Sequence, residues 1–438
     1  MIRLHPRPDA FHECPHCHVL LQVRDWYIPG MRSLAALECP DCSRVFYGDL
    51  LAGHALYFPM LLDRISGTVH DRCQFPWFAN LLKESYAARS NTPMEMLVEE
   101  FREIKRPLLL NCLDVLYGHS LLKLLNAQYY IDQTPDYDLI LLIPKWLRWM
   151  APEGAAAIWT IDVPLRQGSQ WNDWLAANLH ARLDGFPEVH LGIALAHPHQ
   201  SDYDISRFTK TTPFPIENWD SSLDHPTVTF IWREDRLWAS NDPAPKRTRA
   251  FWRSSQNTPD PIIKQKNNLV ALATELQRKV PNLRFAVAGV GKPGGLPAWI
   301  LDLRKTDMDA TVETMWCEQY SQSHVILGVH GSNMLLPSAH AGTTVELVPS
   351  DRWGNIIQDI LPTKQDLREA LVRHRFLPLD ASVTSISEVV LCLLGGCSDA
   401  IRYFKPPWSH HEIFRNDPSI VVRKRCEILQ HRAPVFKT

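Results

Sequence analysis

Short apolar runs closed by turn residues alternate along this chain with stretches whose apolar residues recur at helical spacing. Leu108–Leu113, Tyr137–Ile143, Ala157–Asp162, Val189–Leu195, Thr227–Trp232, Leu283–Ala288, Val325–Leu327 and Thr344–Pro349 have strand length and few polar positions. Between and beyond them, Leu81–Phe101, Ser120–Tyr130, Lys264–Lys279, Asp309–Ser321, Asp351–Gln358, Lys364–His374 and Ile386–Leu394 read as helices. Apolar strands alternating with helices predict an α/β protein built on doubly wound, parallel sheets.

The pattern is sharpest over His324–Pro349, HVILGVHGSNMLLPSAHAGTTVELVP. A buried strand ends in Gly328-Val329-His330-Gly331-Ser332-Asn333, so the chain enters a short helix through small and polar residues. Backbone N–H groups at such a start are free to hold an anion. Ala341-Gly342-Thr343 turns the chain back, and the second strand carries one carboxylate, Glu346, inside an apolar run. A buried acid needs a partner. A ribose hydroxyl pair is the one expected, because an acid at a strand end does that work in nucleotide-binding α/β folds.

Gly328, His330, Gly331, Ser332 and Met334, followed by Gly342, Thr343, Val345 and Glu346, resemble the signature of the family 61 glycosyltransferases. The resemblance implies a GT-B architecture, with two Rossmann-like domains facing across a cleft. It also implies an inverting, metal-independent transfer from a nucleotide sugar to an acceptor hydroxyl. A second stretch, YGHSLLKLLNAQYYIDQTPDYDLILLIP, is similar to a family segment in which a histidine opens a helix and an acid often follows four positions later. His119 matches the histidine, whereas Lys123 stands where the acid is often found. Thr227–Trp232 ends in Arg233-Glu234-Asp235-Arg236, and the family's second domain likewise opens with a strand ending in one or two arginines. A planar guanidinium there matches a diphosphate. On this reading Arg233, Arg236 and the N–H groups of Gly331, Ser332 and Asn333 cradle the phosphates. His330 bonds to a phosphate or the sugar, and Glu346 holds the ribose. His119 is the candidate base, with Asp162 in reserve. No catalytic metal is expected, since arginines and a helix dipole can carry the leaving group's charge.

The N-terminus carries different chemistry. Cys14-Pro15-His16-Cys17 and Cys39-Pro40-Asp41-Cys42 are two C-x-x-C pairs at zinc-ribbon spacing. Four thiolates and no open position make a structural zinc site, whose metal supplies much of the folding free energy of so small a unit. His16 and His18 read as bystanders. Only Arg24 and Arg32 are basic between the pairs, too few for a phosphate-tracking surface.

Composition adds limits. With 438 residues, 45% hydrophobic and 21% charged, the chain suits two domains plus an appendage. The expected division is a zinc ribbon over 1–50, an acceptor-side Rossmann-like domain over 51–225, a nucleotide-sugar-binding domain over 226–378 and a helical tail over 379–438 crossing back to the first domain. Pro213–Pro226 reads as the linker. A net charge of −2 gives no global footprint for nucleic acid or an anionic membrane. The N-terminus lacks a signal-peptide core and no stretch has membrane-spanning length, so a cytoplasmic protein is expected. His197, His199, Asp202 and Asp204 read as loop polarity, Gly289–Gly295 as a mobile loop, and Arg423-Lys424-Arg425 as a solvated face. The partners expected are a nucleotide sugar and a glycan or protein acceptor; the oligomeric state is left open. The alternative is a non-catalytic nucleotide- or glycan-binding module whose ribbon docks a partner. A dinucleotide oxidoreductase ranks last, for want of G-x-G-x-x-G after a first strand.

Overall fold

The computed structural model describes residues 1–165, 167–198, 202–238, 260–359 and 372–404. They form two compact units that divide between Lys210 and Thr211. His199, the Arg423-Lys424-Arg425 run and most of the helix expected over Lys364–His374 lie outside the described residues.

The first unit holds two sheets. Strands β1 (Ile2–His5), β2 (Gln22–Tyr27), β3 (Leu34–Glu38), β4 (Val45–Asp49), β5 (Met60–Asp63) and β6 (Val69–Asp71) come first. They are followed by β7 (Met96–Glu100), β8 (Pro107–Asn111), β9 (Asp138–Pro144), β10 (Ala157–Ile161) and β11 (Val189–Leu191). An antiparallel sheet runs β2-β3-β4-β5-β6, and a second runs β1-β11-β8-β9-β10-β7. In the second, β11, β8, β9 and β10 are parallel, and β1 and β7 close the edges antiparallel. Every residue of β8 and β10 is buried, as expected of strands covered on both faces. One core joins the two sheets, with Cys14, Leu34 and Phe46 packed in the same cluster as Leu109 and Ile140. The thiolate-bearing sheet therefore continues past residue 50 to Asp71.

The helix expected over Leu81–Phe101 is instead Pro76–Ala87 followed by β7, which pairs with β10 from Met96↔Ile161 to Glu100↔Ala157. Pro93 lies between them; it cannot donate a helical N–H and disfavours helix in the residue before it. Helix Tyr117–Gln133 connects β8 to β9, and helix Asp173–Leu183 connects β10 to β11.

The second unit is one sheet of six parallel strands. They are β12 (Thr227–Trp232), β13 (Arg284–Val290), β14 (Leu301–Lys305), β15 (Val325–Val329), β16 (Thr343–Val348) and β17 (His374–Pro378). Their order, β14-β13-β12-β15-β16-β17, is that of a doubly wound nucleotide-binding fold. The edge strands β14 and β17, LDLRK and HRFLP, carry too many polar residues to read as strands from the sequence. Helix Pro261–Lys279 starts with its Pro at the first helical position and Asp260 accepting from Ile262 N at 2.9 Å. Asp309 caps helix Ala310–Ser321 through Val312 N, also at 2.9 Å.

Helix Val383–Phe404 sets Ile386, Val390, Leu393 and Leu394 against Leu269, Leu272 and Leu276. Its described part thus packs within the second unit; residues 405–438 of the expected tail lie outside the described residues. Phe214, Ile216 and Trp219 join the same core, so the proline-broken stretch read as a linker lies on the second unit. Among the described residues no helix is long and apolar enough to cross a membrane.

Candidate functional site

Both parallel sheets have a point where strand order reverses, between β12 and β15 in the second unit and between β8 and β11 in the first. Open α/β sheets bind ligands just outside the carboxyl ends of the strands at such points. Chemistry-bearing side chains collect at each.

In the second unit, Arg233 and Arg236 follow β12 and His330 follows β15. The Nη1 atoms of both arginines donate to the His330 carbonyl, at 3.3 and 2.6 Å. Arg233 Nη1 also donates to Asn333 Oδ1 at 2.6 Å, and its other edge forks onto Asp235 at 2.8 and 2.7 Å. The fully buried Gln265 holds the backbone here, donating to Arg233 O and accepting from Trp238 N. Burial, then the neighbouring Arg233 and Arg352 guanidiniums, pull the Arg236 pKa below its ordinary value. Three guanidiniums against Asp235 and Asp351 leave an excess of positive charge suited to an anion.

Gly331 lies against this convergence. Its φ of +148° is strained for an L side chain, and a Cβ would sit 2.7 Å from Arg233 Nη1 and 3.3 Å from Arg236 Nη1. Ser332–Met334 then forms one 3₁₀ turn into helix Leu335–His340, so backbone N–H groups at Ser332 and Asn333 open the helical segment beside the guanidiniums.

Glu346 lies elsewhere than its expected ribose role requires. It is fully buried in β16, with Oε2 2.5 Å from His330 Nδ1, and burial raises its pKa to about 8. A carboxylate with no exposed surface orients the histidine that it touches and has no open face for a sugar hydroxyl.

In the first unit, Asp114 follows β8 and His119 sits in the first turn of helix Tyr117–Gln133. His119 Nδ1 lies 3.2 Å from Asp114 Oδ1 and 3.1 Å from His54 Nε2. Lys123, one helical turn on, is buried with Nζ 2.7 Å from Asp114 Oδ2 and 3.0 Å from Leu113 O. Burial opposes ionisation of Asp114, but Lys123 and His119 outweigh it and hold the carboxyl well below the usual range. Burial, then His119, draws His54 down to about 3. His197, after β11, is also lowered, by burial and by His119.

Asp162 belongs to none of this. Its half-exposed carboxylate pairs with Lys145 at 2.7 Å on the surface. Asp204 accepts from the backbone and hydroxyl of Ser206, a turn role. The glycine-rich loop is tied down, not loose: Gly291 N donates to Lys305 O at 2.8 Å and Arg304 Nη2 to Gly294 O at 2.9 Å.

The N-terminal thiolates meet as their spacing requires. The Sγ atoms of Cys14, Cys17, Cys39 and Cys42 all lie within 4.8 Å of one another. Cys14 and Cys42 are 3.8 Å apart, the edge of a tetrahedron with metal–sulfur bonds of about 2.3 Å. The two turns repeat each other: His18 N donates to Cys14 O and Ser43 N to Cys39 O, and both His18 and Ser43 are left-handed, at φ 59° and 56°. The donor set and geometry fit a structural metal. His16 packs edge-on to the His70 ring 6.0 Å away and is not among the clustered ligands.

Two residues of the first-unit cluster were missed by sequence reasoning. Asp114 had a readable signal, an acid just past a buried strand and five residues before His119. His54 had none, because Gly53 N donating to Ile193 O brings it in from a distant segment.

No family model matches the chain, and no curated protein matches it. Among solved structures it is similar to an Escherichia coli ADP-heptose lipopolysaccharide heptosyltransferase II, at 11% identity and a TM-score of 0.37 over 66% of this chain and 98% of that one. It is similar also to E. coli heptosyltransferase WaaC with ADP, at 10% identity and a TM-score of 0.36 over 66% of this chain and 99% of that one. A third is a putative UDP-N-acetylglucosamine 2-epimerase from Listeria monocytogenes, at 9% identity and a TM-score of 0.28 over 72% and 81%.

Proposed function

We propose that this chain is a glycosyltransferase of the family 61 type, with a GT-B arrangement, which moves a sugar from a nucleotide donor to an acceptor hydroxyl with inversion. The observation that carries the reading is the pair of guanidiniums converging on the His330 carbonyl beside Gly331, at the point where strand order reverses. Such a cradle suits the diphosphate of a donor. Planar, charge-assisted donors match its oxygens, and N–H groups at the start of the helical segment add to them. The arginines neutralise the charge that develops as the sugar–phosphate bond breaks, a role other enzymes give to a metal. Glu346 orients His330, whose carbonyl holds both guanidiniums in place.

His119 is the base of this proposal. The ionised Asp114 carboxylate can only accept, so we assign to His119 Nδ1 the proton shared with Asp114 Oδ1, and His54 Nε2 then faces it as a second acceptor. Nε2 then keeps its lone pair. The acceptor oxygen bonds to the anomeric carbon, the bond from that carbon to the phosphate oxygen breaks, and the hydroxyl proton passes to Nε2 as the nucleoside diphosphate leaves. The four thiolates would hold zinc in a structural role. The rival, a non-catalytic binding module, draws on Lys123 standing where an acid is usual. Asp114 beneath His119 supplies the carboxylate that the helix lacks, and this favours the enzyme.

Calorimetry of the zinc-loaded protein with UDP, GDP and ADP tests the donor half. One of the three is expected to bind, and Arg233→Ala and Arg236→Ala to weaken it roughly tenfold to a hundredfold each, the loss of a charge-assisted bond of about 1.5–3 kcal/mol. Binding that survives both substitutions would sink the assignment.

A further inference from the structure

We infer that a row of aromatic side chains beside His119 is a subsite for the acceptor, and that it takes the C–H face of a pyranose ring; the inference rests on the glycosyl-transfer reading above. The row runs Tyr57, Phe58, Phe75, Trp77, with successive ring centroids 6.4, 4.1 and 5.9 Å apart. It ends edge-on against both histidines, with Trp77 5.8 Å from His54 and 6.0 Å from His119. Tyr57 is 64% exposed and Trp77 39%, so both ends of the row are open to solvent.

The rings are mounted on fixed backbone. The N–H groups of Tyr57 and Phe58 both donate to His54 O at 3.1 Å. Asp71 accepts from Cys73 N at 2.9 Å and Phe75 N at 2.6 Å. Pro76 opens helix Pro76–Ala87, which puts Trp77 in its first turn. Little ordering remains to be done when a ligand arrives.

The chemistry selects the ligand. A pyranose has a face of C–H groups, which gains by lying on the electron-rich face of an aromatic ring, and a rim of hydroxyls that needs polar partners. Here the exposed Trp77 ring adjoins an imidazole backed by a carboxylate. A sugar stacked at Trp77 would present its rim to His119. A nucleic acid would also stack but needs cations along the row. Lys123 is committed to Asp114, and Arg72 is paired with Glu13 at 3.3 Å.

Saturation-transfer difference NMR on the full-length zinc-loaded protein tests this, with the methyl glycosides of glucose, galactose, mannose, xylose and N-acetylglucosamine as probes. At least one is expected to receive saturation at its ring C–H protons. Trp77→Ala should reduce that signal roughly threefold to tenfold, as expected for the loss of one stacking contact. Trp77→Phe and the remote control Ile65→Ala should retain most of it. Tyr57→Ala, at an exposed position, gives an independent reading should Trp77→Ala not fold. The inference is overturned if no glycoside is saturated by the wild type, or if the signal survives both alanine variants. Nucleotide calorimetry on the same samples separates the two readings. Nucleotide binding without glycoside binding removes this subsite alone, and glycoside binding through Trp77 without nucleotide binding removes the donor assignment alone.

Discussion

Gly331 belongs to the second-unit cradle as much as its charged residues do, because a Cβ there would press on both guanidiniums that share the carbonyl before it. Gly331→Ala should weaken nucleoside diphosphate binding as much as Arg233→Ala does. It should also lower stability by about 1–3 kcal/mol through the strained φ, measurable by denaturant titration. Glu346 offers a pH test. Its folded pKa of about 8 lies above the ordinary 4.5, so the folded chain keeps a proton that the unfolded chain releases. Its contribution to stability is intact below pH 4.5 and is lost progressively as pH rises toward 8. The wild-type thermal midpoint is therefore expected to fall between pH 5 and 8 relative to Glu346→Gln; parallel curves would contradict the burial argument. Glu346 also shows where residue-level reading fails. The sequence marks an acid inside an apolar strand, but its partner, His330, is known only once β15 and β16 pair side by side.

At the scale of elements, strands with few polar positions were legible, since a sheet covered on both faces is what accepts such runs. β8, β9, β10, β12, β13, β15 and β16 are of that kind. Edge strands were not legible: β7, β14 and β17 mix charged and apolar residues because one flank meets solvent. The thiolate turns were legible because a metal site is encoded by local spacing. Removing their metal should unfold the antiparallel sheet, given a binding free energy on the order of 10 kcal/mol. Since this sheet shares its core with β8 and β9, the loss should spread through the first unit. Limited proteolysis after chelation is expected to cut within residues 1–210 before the second unit. Metal analysis should return one equivalent for His16→Ala and none for Cys39→Ser. An equivalent retained by Cys39→Ser would count against the four-thiolate site.

For the whole molecule, each unit gathers charged and polar side chains where its own strand order reverses, Arg233, Arg236 and His330 in one and His54, Asp114 and His119 in the other. In the second unit the groups set by turns at strand ends, Arg233, Arg236 and His330, could be read from the sequence. In the first unit Asp114, five residues before His119, carried a readable signal, whereas His54, brought to His119 from a distant segment, carried none. This separation of roles has a kinetic signature. His119→Ala should slow transfer by about 10²- to 10⁴-fold, the usual worth of a general base, and leave nucleotide affinity unchanged. Asp114→Asn should slow it too, by freeing the wrong tautomer. The most direct test of the account is a reaction followed by proton NMR, in which the wild type is mixed with nucleotide sugars whose nucleotide it binds and with the methyl glycosides that saturate at Trp77. The expected result is free nucleoside diphosphate and a new glycosidic bond of anomeric configuration opposite to the donor's, both absent with His119→Ala. Binding of both partners with no nucleotide sugar consumed by the wild type would contradict the account and leave a binding module in its place.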